Sequence, residues 1–284
     1  MNISPTLLQH HFGEFQGPLG ASIYWQTWHG DAAPLAVLLL IHGLGEHSGR
    51  YAHVVQALVD IGVQVYALDH LGHGRSGGER EVVNSFQDLL QPVARLRAIA
   101  EKNHPDLPLF VLGHSMGGLI ATHHAIQHPE GMAGLVLSGP AVLVSPKVSA
   151  WTIAIGKLLA IVAPKVGVLG VSPAHICRDP AVVEAYVNDP LVFKGKTPAR
   201  LAAELLKSMR ALPSLRGRLR MPLLVMQGMK DRLVEPSGAA WLVDGASSKD
   251  KTLKEYDSLF HEIFNEPEKA TVISDLVAWL RQRV

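Results

Sequence analysis

The sequence predicts an α/β protein built on a mostly parallel β-sheet. Short, continuously apolar runs recur along the chain, at residues 35–41, 63–68, 110–112, 134–137 and 223–226. Runs of this kind are typical of strands that are buried on both faces, as in a parallel sheet. Segments with helical periodicity lie between them, and this alternation of strand and helix predicts the α/β class.

The two ends of the chain add further elements. Residues 10–17 and 22–28 resemble two strands around a Gly-Pro-Leu-Gly turn, which predicts an antiparallel hairpin at a sheet edge. Residues 252–256 predict a last strand. Apolar residues recur at helical spacing over 272–280, so we expect a C-terminal helix with Asn265 as its N-cap.

Composition limits the classes of function. The 284 residues suffice for one large domain with an insertion, or for two small domains. The 26 basic and 25 acidic residues nearly balance, so nothing favours nucleic acid as a partner. Cys177 is the only cysteine, which excludes a disulfide framework and a cysteine-rich metal site. Residues 1–6 lack a basic region followed by an apolar run, so no signal peptide is apparent and we expect a cytoplasmic protein.

Ser115 is the candidate nucleophile. It is the serine of Gly113-His114-Ser115-Met116-Gly117, with a buried-strand run before it and a helical segment after it. A serine on such a sharp turn is held clear of the backbone, and the helix amides behind it favour a developing negative charge. Side chains in place of Gly113 or Gly117 would collide across so tight a turn. The motif alone is often a plain loop, but the flanking strand and helix indicate catalysis.

A catalytic acid and a histidine are expected after the serine, in that order along the chain. Asp231 lies in the loop just beyond the buried run at 223–226, at the expected end of the sheet. His261 follows the last predicted strand and precedes the C-terminal helix. Asp257 is the rival acid, but it is too close to His261 in sequence to approach it easily. The other interpretation of Asp231 is a solvated turn residue.

A glycine-rich loop, His42-Gly43-Leu44-Gly45-Glu46, follows the first buried run. Acyl transfer by a serine needs two backbone N–H donors aimed at the tetrahedral oxyanion. We expect one donor at Met116, the residue after the nucleophile, and the other at Leu44 in this loop. The alternative interpretation is an ordinary glycine turn.

Two further patterns are weaker. Residues 72–77 match the dinucleotide fingerprint Gly-x-Gly-x-x-Gly, but they do not open directly into a helix, and no strand-end acid follows about twenty residues later. We expect this loop to pack tightly beneath the active site. His124 and His128 share a helix face at metal-ligand spacing, but no third ligand accompanies them, so no metal site is predicted.

Taken together, these motifs resemble the monoacylglycerol lipases of the α/β-hydrolase fold. The likeness is carried by residues 42–51, 69–76, 113–118, 227–232 and 261–262, and it spans nearly the whole chain. It implies a hydrolase core that acts on a lipid ester through a serine, an aspartate and a histidine. It requires no metal and no organic cofactor.

The resemblance also assigns site residues. Its triad falls on Ser115, Asp231 and His261, and its oxyanion donors fall on Leu44 and Met116. Three residues match the family's positions at the polar, glycerol-facing end of the site: Glu46, Arg50 and Tyr186.

Other functions use most of the same residues. Lysophospholipases and carboxylesterases share these motifs, and an enzyme that cleaves a carbon–carbon bond in a diketone would use the same triad. A hydrolase-like receptor that binds a ligand without turnover also stays open, although a pure binder has no need of all three triad residues.

The excess of apolar residues is concentrated at residues 148–171. The segment approaches the ~20 residues that a membrane span needs. Lys157, Pro164 and Lys165 interrupt it, however, and a span here would separate the nucleophile from its acid and base across the bilayer. We therefore do not expect a transmembrane helix.

We expect instead a cap, residues 145–213, inserted into a core formed by residues 1–144 and 214–284. One alternative is a cap buried wholly against the core. The favoured interpretation is a cap that contacts a membrane or micelle transiently and passes an insoluble lipid to the site. The apolar residues expected on its outer face are Trp151, Ile155, Leu158 and Leu159.

Overall fold

The computed structural model describes residues 7–146 and 149–284. Residues 1–6, which carry the signal-peptide expectation, and Val148, where the apolar segment begins, lie outside the described residues. Ten strands are present in the described part of the chain: β1 (Gln9–Gln16), β2 (Ser22–His29), β3 (Ala36–Ile41), β4 (Val63–Leu68), β5 (Leu109–His114), β6 (Met132–Ser138), β7 (Gly167–Leu169), β8 (Thr197–Pro198), β9 (Leu223–Gly228) and β10 (Lys251–Tyr256).

The described helices alternate with these strands. They are α1 (Ala52–Val59), α2 (Gln87–Asn103), α3 (Met116–Gln127), α4 (Ala150–Val162), α5 (Pro180–Asn188), α6 (Ala199–Leu215), α7 (Ser237–Gly245) and α8 (Lys269–Arg281). None of the helices in the described ranges combines the length and apolarity that a bilayer span needs.

Eight strands form the central sheet, in the order β1-β2-β4-β3-β5-β6-β9-β10. The β1–β2 and β2–β4 pairs are antiparallel and the remaining pairs are parallel. Every residue of β3, β4, β5 and β9 is buried. The prediction of an edge hairpin followed by a mostly parallel sheet is therefore confirmed, and the continuous apolar runs are explained by burial on both faces.

Two apolar layers cover the faces of this sheet. Helices α1 and α8 pack on one face, through side chains such as Leu58 and Leu276. Helices α2, α3 and α7 cover the other, through side chains such as Leu89, Ile120 and Leu242. Because both faces are covered, the loops at the strand ends remain the place where polar side chains can gather.

The C-terminal helix exists as predicted, but its predicted N-cap is wrong. Helix α8 begins at Lys269 with Glu268 in the capping position. The Asn265 side chain donates instead to the carboxylate of Glu262, at 2.8 Å. A hydrogen bond within the loop, to a residue three positions earlier, therefore replaces the predicted capping interaction.

An insertion separates β6 from β9. Its described part contains α4, α5, α6 and the small antiparallel pair of β7 with β8. Helix α6 runs to Leu215, beyond the expected cap boundary at residue 213. The insertion lies over the ends of the strands, where its helices line the cavity described below.

Candidate active site

Ser115 occupies the turn between β5 and α3 in a strained conformation. Its φ of 54° and ψ of −118° lie outside the regions that a residue with a side chain prefers. The Ser115 amide donates to Ser138 O at 3.0 Å, and its carbonyl accepts from the amide of Ala141 at 3.1 Å. These bonds hold the turn in place, so the surrounding structure supports the strain.

The two glycines beside Ser115 are required by close packing. A Cβ at Gly113 would lie 2.3 Å from the carbonyl oxygen of Gly117, and a Cβ at Gly117 would lie 2.1 Å from the carbonyl oxygen of Ile41. Both distances are well inside van der Waals contact with backbone atoms. The predicted collision across the turn is therefore confirmed for Gly113, whereas a side chain at Gly117 would collide with the end of β3.

Asp231 and His261 form a close pair, and His261 lines the same cavity as Ser115. The Nδ1 atom of His261 lies 2.6 Å from Asp231 Oδ2, and both side chains are buried. The other carboxylate oxygen of Asp231 accepts from the amides of Leu233 and Val234, at 2.8 and 3.0 Å. These bonds fix the aspartate, which in turn fixes the orientation of the imidazole.

The pair has opposite pKa shifts. Burial would raise the pKa of Asp231, but His261 and the two backbone amides outweigh it and hold that pKa below its ordinary value. Burial would likewise lower the pKa of His261, but the Asp231 carboxylate outweighs it and raises that pKa above its ordinary value. The arrangement therefore stabilises an imidazolium, the state that a general base reaches when it accepts a proton.

The loop of Leu44 approaches the nucleophile closely. A Cβ at Gly43 would lie 3.2 Å from Ser115 Cβ and 2.9 Å from Glu46 Oε1. The Gly43 amide donates to that same Glu46 oxygen at 2.7 Å, which fixes the loop just before Leu44. The loop is therefore held in a defined position against the serine.

One cavity of about 400 Å³ brings most of the predicted site residues together. Its lining includes Ser115, His261, Leu44, Met116, Glu46 and Tyr186. Asp231 and Arg50 do not line it, and each lies behind a residue that does. The remaining lining comes largely from apolar side chains, including Ile153, Leu205, Leu206 and Met209 of the insertion.

The three residues matched to a glycerol-facing end also lie together. Arg50 Nη1 donates to Glu46 Oε2 at 2.7 Å, and the Arg50 guanidinium lies 4.8 Å from the centre of the Tyr186 ring. The second oxygen of Glu46 accepts from the Tyr51 hydroxyl at 2.6 Å. Glu46 and Arg50 thus have protein partners already, and their contact with a substrate stays a prediction.

Glu262, Arg178 and Glu266 are neighbours of the site that the sequence analysis did not single out. Glu262 pairs with Arg50 through two hydrogen bonds, of 2.7 and 2.8 Å. The buried carboxylate of Glu266 accepts from Arg178 Nε at 2.5 Å. No local pattern marks these pairs. The available signals were the position of both glutamates on the loop that carries His261 and, for Glu262, its place in the matched segment 261–262.

The glycine loop at residues 72–77 does not open directly into a helix, and it packs against Asp69 and His47. Gly74 has a φ of +49°, and a Cβ there would lie 2.2 Å from Asp69 Oδ2. Asp69 accepts from the amides of Ser48 and Arg75, at 2.9 and 2.8 Å. The glycines therefore allow a buried aspartate to connect two loops near the active site.

Comparison with known proteins places this fold and site in a family. The family model "Serine aminopeptidase, S33" matches residues 32–268. Monoacylglycerol lipase of Mycolicibacterium smegmatis is 42% identical over 98% of this chain and 98% of its own length. Human monoglyceride lipase is 35% identical over 93% of this chain and 88% of its own length.

Solved structures agree with this relationship. The crystal structure of Paleococcus ferrophilus monoacylglycerol lipase superposes with a TM-score of 0.81 at 30% identity, over 97% of this chain and 100% of that one. The fold is thus the α/β-hydrolase fold that the resemblance implies, and the chain is a serine ester hydrolase of that fold. The chain belongs to the S33-type family of α/β hydrolases, and its likeness to monoacylglycerol lipases is confirmed.

Proposed function

We propose that this protein is a serine ester hydrolase that cleaves monoacylglycerol to a fatty acid and glycerol. The observation that carries the proposal is the hydrogen bond of His261 to Asp231 beside a strained serine, at one cavity with an apolar lining. The similarity to monoacylglycerol lipases over nearly the full chain supports the choice of substrate.

The proposed reaction has two halves. In the first, His261 accepts the Ser115 proton as the hydroxyl oxygen attacks the ester carbonyl, and the backbone amides of Leu44 and Met116 stabilise the oxyanion. His261 then returns the proton to the departing glycerol oxygen, which leaves an acyl-enzyme. In the second half, His261 deprotonates a water that attacks the acyl carbonyl. His261 then returns that proton to the Ser115 oxygen as the acyl bond breaks, which releases the fatty acid and restores the free serine.

The cavity is lined by side chains that suit both parts of this substrate. Ile153, Leu206 and Met209 offer an apolar surface for an acyl chain. Glu46 and Tyr186 also line the cavity, and we propose that hydrogen bonds between them and free glycerol hydroxyls favour monoacylglycerol over di- and triacylglycerol. The proposal therefore includes a preference for the substrate with two free hydroxyls.

We propose further that residues 145–213 act as a cap on a core of residues 1–144 and 214–284, and that the cap contacts lipid surfaces. Helix α4 exposes Trp151 at 80% and Ile161 at 72% of their surface, and Ile155, Leu158 and Val162 are also exposed. Leu159, which was expected on the same outer face, is half-buried. A contiguous apolar face of this kind suits transient, peripheral contact with a membrane or micelle.

A hydrolysis panel tests the proposed function. Purified protein would be assayed on mono-, di- and triacylglycerol, lysophospholipid and a short p-nitrophenyl ester. We expect turnover of monoacylglycerol to exceed that of the other lipids. A preference for lysophospholipid, or for the short ester alone, would replace monoacylglycerol with a phospholipid or a generic ester as the substrate.

The Ser115→Ala and His261→Ala variants test the mechanism. Each should lower kcat by roughly 10⁴-fold, and the double variant should cost little more, because the two groups act as one unit. Circular dichroism would check that the variants remain folded. Turnover near the wild-type rate in folded Ser115→Ala would refute the mechanism.

A further inference from the structure

Glu262 follows His261 directly and has a more elaborate set of contacts than a surface glutamate. Its two carboxylate oxygens accept from Arg50 Nη1 and Nη2 at 2.7 and 2.8 Å, and Oε2 also accepts from Asn265 at 2.8 Å. The Glu262 side chain is 7% exposed and that of Arg50 is 10% exposed. A bidentate pair at this depth fixes the geometry of both residues.

Arg50 extends this contact to the proposed oxyanion loop. The Nη1 atom that donates to Glu262 also donates to Glu46 at 2.7 Å. Glu46 in turn accepts from the amide of Gly43, the residue before Leu44. One continuous set of hydrogen bonds therefore joins the loop of the general base to the loop of an oxyanion donor.

The insertion meets the same residues. The Glu262 amide donates to Ile176 O at 2.8 Å, and the Tyr186 ring stacks against the Arg50 guanidinium at 4.8 Å. Three parts of the chain that are distant in sequence thus converge on the Arg50–Glu262 pair.

We propose that Glu262 is a positioning residue for catalysis. It acts through Arg50 and Glu46 to hold the His261 loop in a fixed position relative to the Leu44 loop. The inference rests on the proposed serine-hydrolase function. Its physical basis is that the base and the oxyanion donors must be correctly placed at the same time, and a displacement of about 1 Å can cost about a hundredfold in rate.

Glu262→Gln is the direct test, because it keeps the shape and removes the charge-assisted bidentate pair. We expect kcat on a soluble p-nitrophenyl ester to fall about 10- to 100-fold with KM changed less than about threefold, since the contact matters in the transition state. Phosphonylation of Ser115 by a fluorophosphonate should slow by a similar factor, because it needs the same base and the same donors.

Asp275→Asn is the matched control. Asp275 is a partly buried carboxylate that accepts from Lys254 and Tyr256 at 3.0 and 2.9 Å, remote from the cavity. Both variants should lose some thermal stability, but only Glu262→Gln should lose kcat. A fall in kcat that merely follows the loss of stability in both variants would overturn the proposal.

The pH profile supplies a readout that a purely structural role would not move. The charged or titratable groups that face His261 are Asp231, Glu262, Glu46 and the ring of His114, whose centre is 4.7 Å away. Burial and the nearby His261 lower the pKa of His114 to about 4, so that ring is neutral near pH 7. Removal of the Glu262 charge leaves the Arg50 cation less compensated. The loss of a nearby negative charge and the less compensated Arg50 cation both disfavour the His261 imidazolium and lower its pKa. The acid limb of kcat/KM should therefore move to lower pH.

Glu262→Asp separates charge from reach. The shorter carboxylate keeps the negative charge, so the acid limb should stay near its wild-type position. It cannot span both Arg50 nitrogens from the same backbone position, so kcat should remain low. Restoration of wild-type kcat by aspartate would show that charge alone matters and would overturn the positioning role. Should Glu262→Gln fail to fold, the Glu262→Asp comparison carries the test by itself.

The wild type serves to distinguish the two hypotheses. Absence of ester hydrolysis by folded wild-type protein would refute the proposed function. An active wild type together with a Glu262→Gln variant that keeps kcat within twofold would refute the positioning role and leave the proposed function intact.

Discussion

The two halves of the proposed cap contact their surroundings in opposite ways. Helix α4 presents apolar side chains outward, with Trp151 and Ile161 more than two-thirds exposed. The stretch from Ile176 to Phe193 instead makes polar contacts to the core. Those contacts run from Glu262 to Ile176, from Arg178 to Glu266 and Glu268, from His47 to Asp189, and from Phe193 to Gly45.

The core partners in these contacts are informative. Gly45 and His47 belong to the loop of Leu44, and Glu262 and Glu266 belong to the loop of His261. The polar half of the cap, residues 176–193, therefore touches both loops that the proposed chemistry uses. The apolar half, α4, can contact a lipid surface without disturbing them. This comparison predicts that changes in the two halves will have different effects.

The largest effect is expected at Arg178, which pairs with the buried carboxylate of Glu266. Arg178→Met keeps the aliphatic stem but leaves that charge without its cation, which should cost about 3 kcal/mol of unfolding free energy. Because Glu266 lies on the His261 loop, hydrolysis of short and long esters should slow together. Urea unfolding and initial rates measure the two effects.

Lys165→Met is the matched control, since Lys165 also joins the cap to the core. It pairs with Glu79, and both side chains are more than half exposed, so its loss should cost about 0–1 kcal/mol. Equal destabilisation by the two variants would remove the distinction between a buried and an exposed contact.

Glu81 is a buried core residue outside both halves of the cap, and it gives a pH-dependent effect on stability. Burial raises the pKa of Glu81 to about 7 and outweighs the side-chain hydrogen bond with Thr197, which would lower it. The unfolded chain loses this proton near pH 4.5, so wild-type stability should fall as pH rises from about 4.5 to about 7. Glu81→Gln removes this fall. The free energy of unfolding of the variant, relative to that of the wild type, should therefore increase by up to about 3 kcal/mol as pH rises across that range.

Thermal unfolding of both proteins between pH 4.5 and pH 8 measures this difference. The exposed Glu184 provides the control, and Glu184→Gln should follow the wild type at every pH. Parallel curves for the wild type and Glu81→Gln would contradict the assignment.

A smaller and selective effect is expected on α4. Replacement of Ile155 and Leu158 by serine removes two exposed apolar side chains, so vesicle binding should weaken about tenfold. Hydrolysis of long-chain monoacylglycerol in vesicles should slow, while a soluble short-chain ester should be cleaved at the wild-type rate. Vesicle sedimentation and the two rates are the measurements.

The control is the Leu19→Ser/Leu35→Ser double variant. It removes two leucines that lie outside the cap and are about as exposed as Ile155 and Leu158. It should bind vesicles like the wild type. Equal slowing on both substrates, or no vesicle binding by the wild type, would leave α4 as a plain lid.

The smallest effect is expected from Tyr186→Phe, which removes only a hydroxyl. If that hydroxyl forms a hydrogen bond with glycerol, kcat/KM for monoacylglycerol should fall about fivefold. That factor corresponds to about 1 kcal/mol, the net contribution of one hydrogen bond. A p-nitrophenyl ester of equal chain length should be unaffected. An equal loss on both substrates would assign Tyr186 to packing against Arg50.

The sequence by itself determined the sheet and the identity of the catalytic candidates. Buried strands are continuous in sequence, so their apolar runs could be read directly, and the turn around Ser115 is defined by its own glycines. Asp231 and His261 could be chosen because chain order and the ends of strands restrict where a partner can lie. These features depend on neighbours along the chain, which the sequence contains.

Only the tertiary structure decided how the loops are held together. Arg50 and Glu262 are 212 positions apart, and neither residue has a local pattern that points to the other. Leu159 follows the periodicity of an exposed face, yet it is half-buried. The physical reason is common to these cases: burial and pairing of a side chain depend on which distant segment packs against it, and a local pattern carries no record of that segment.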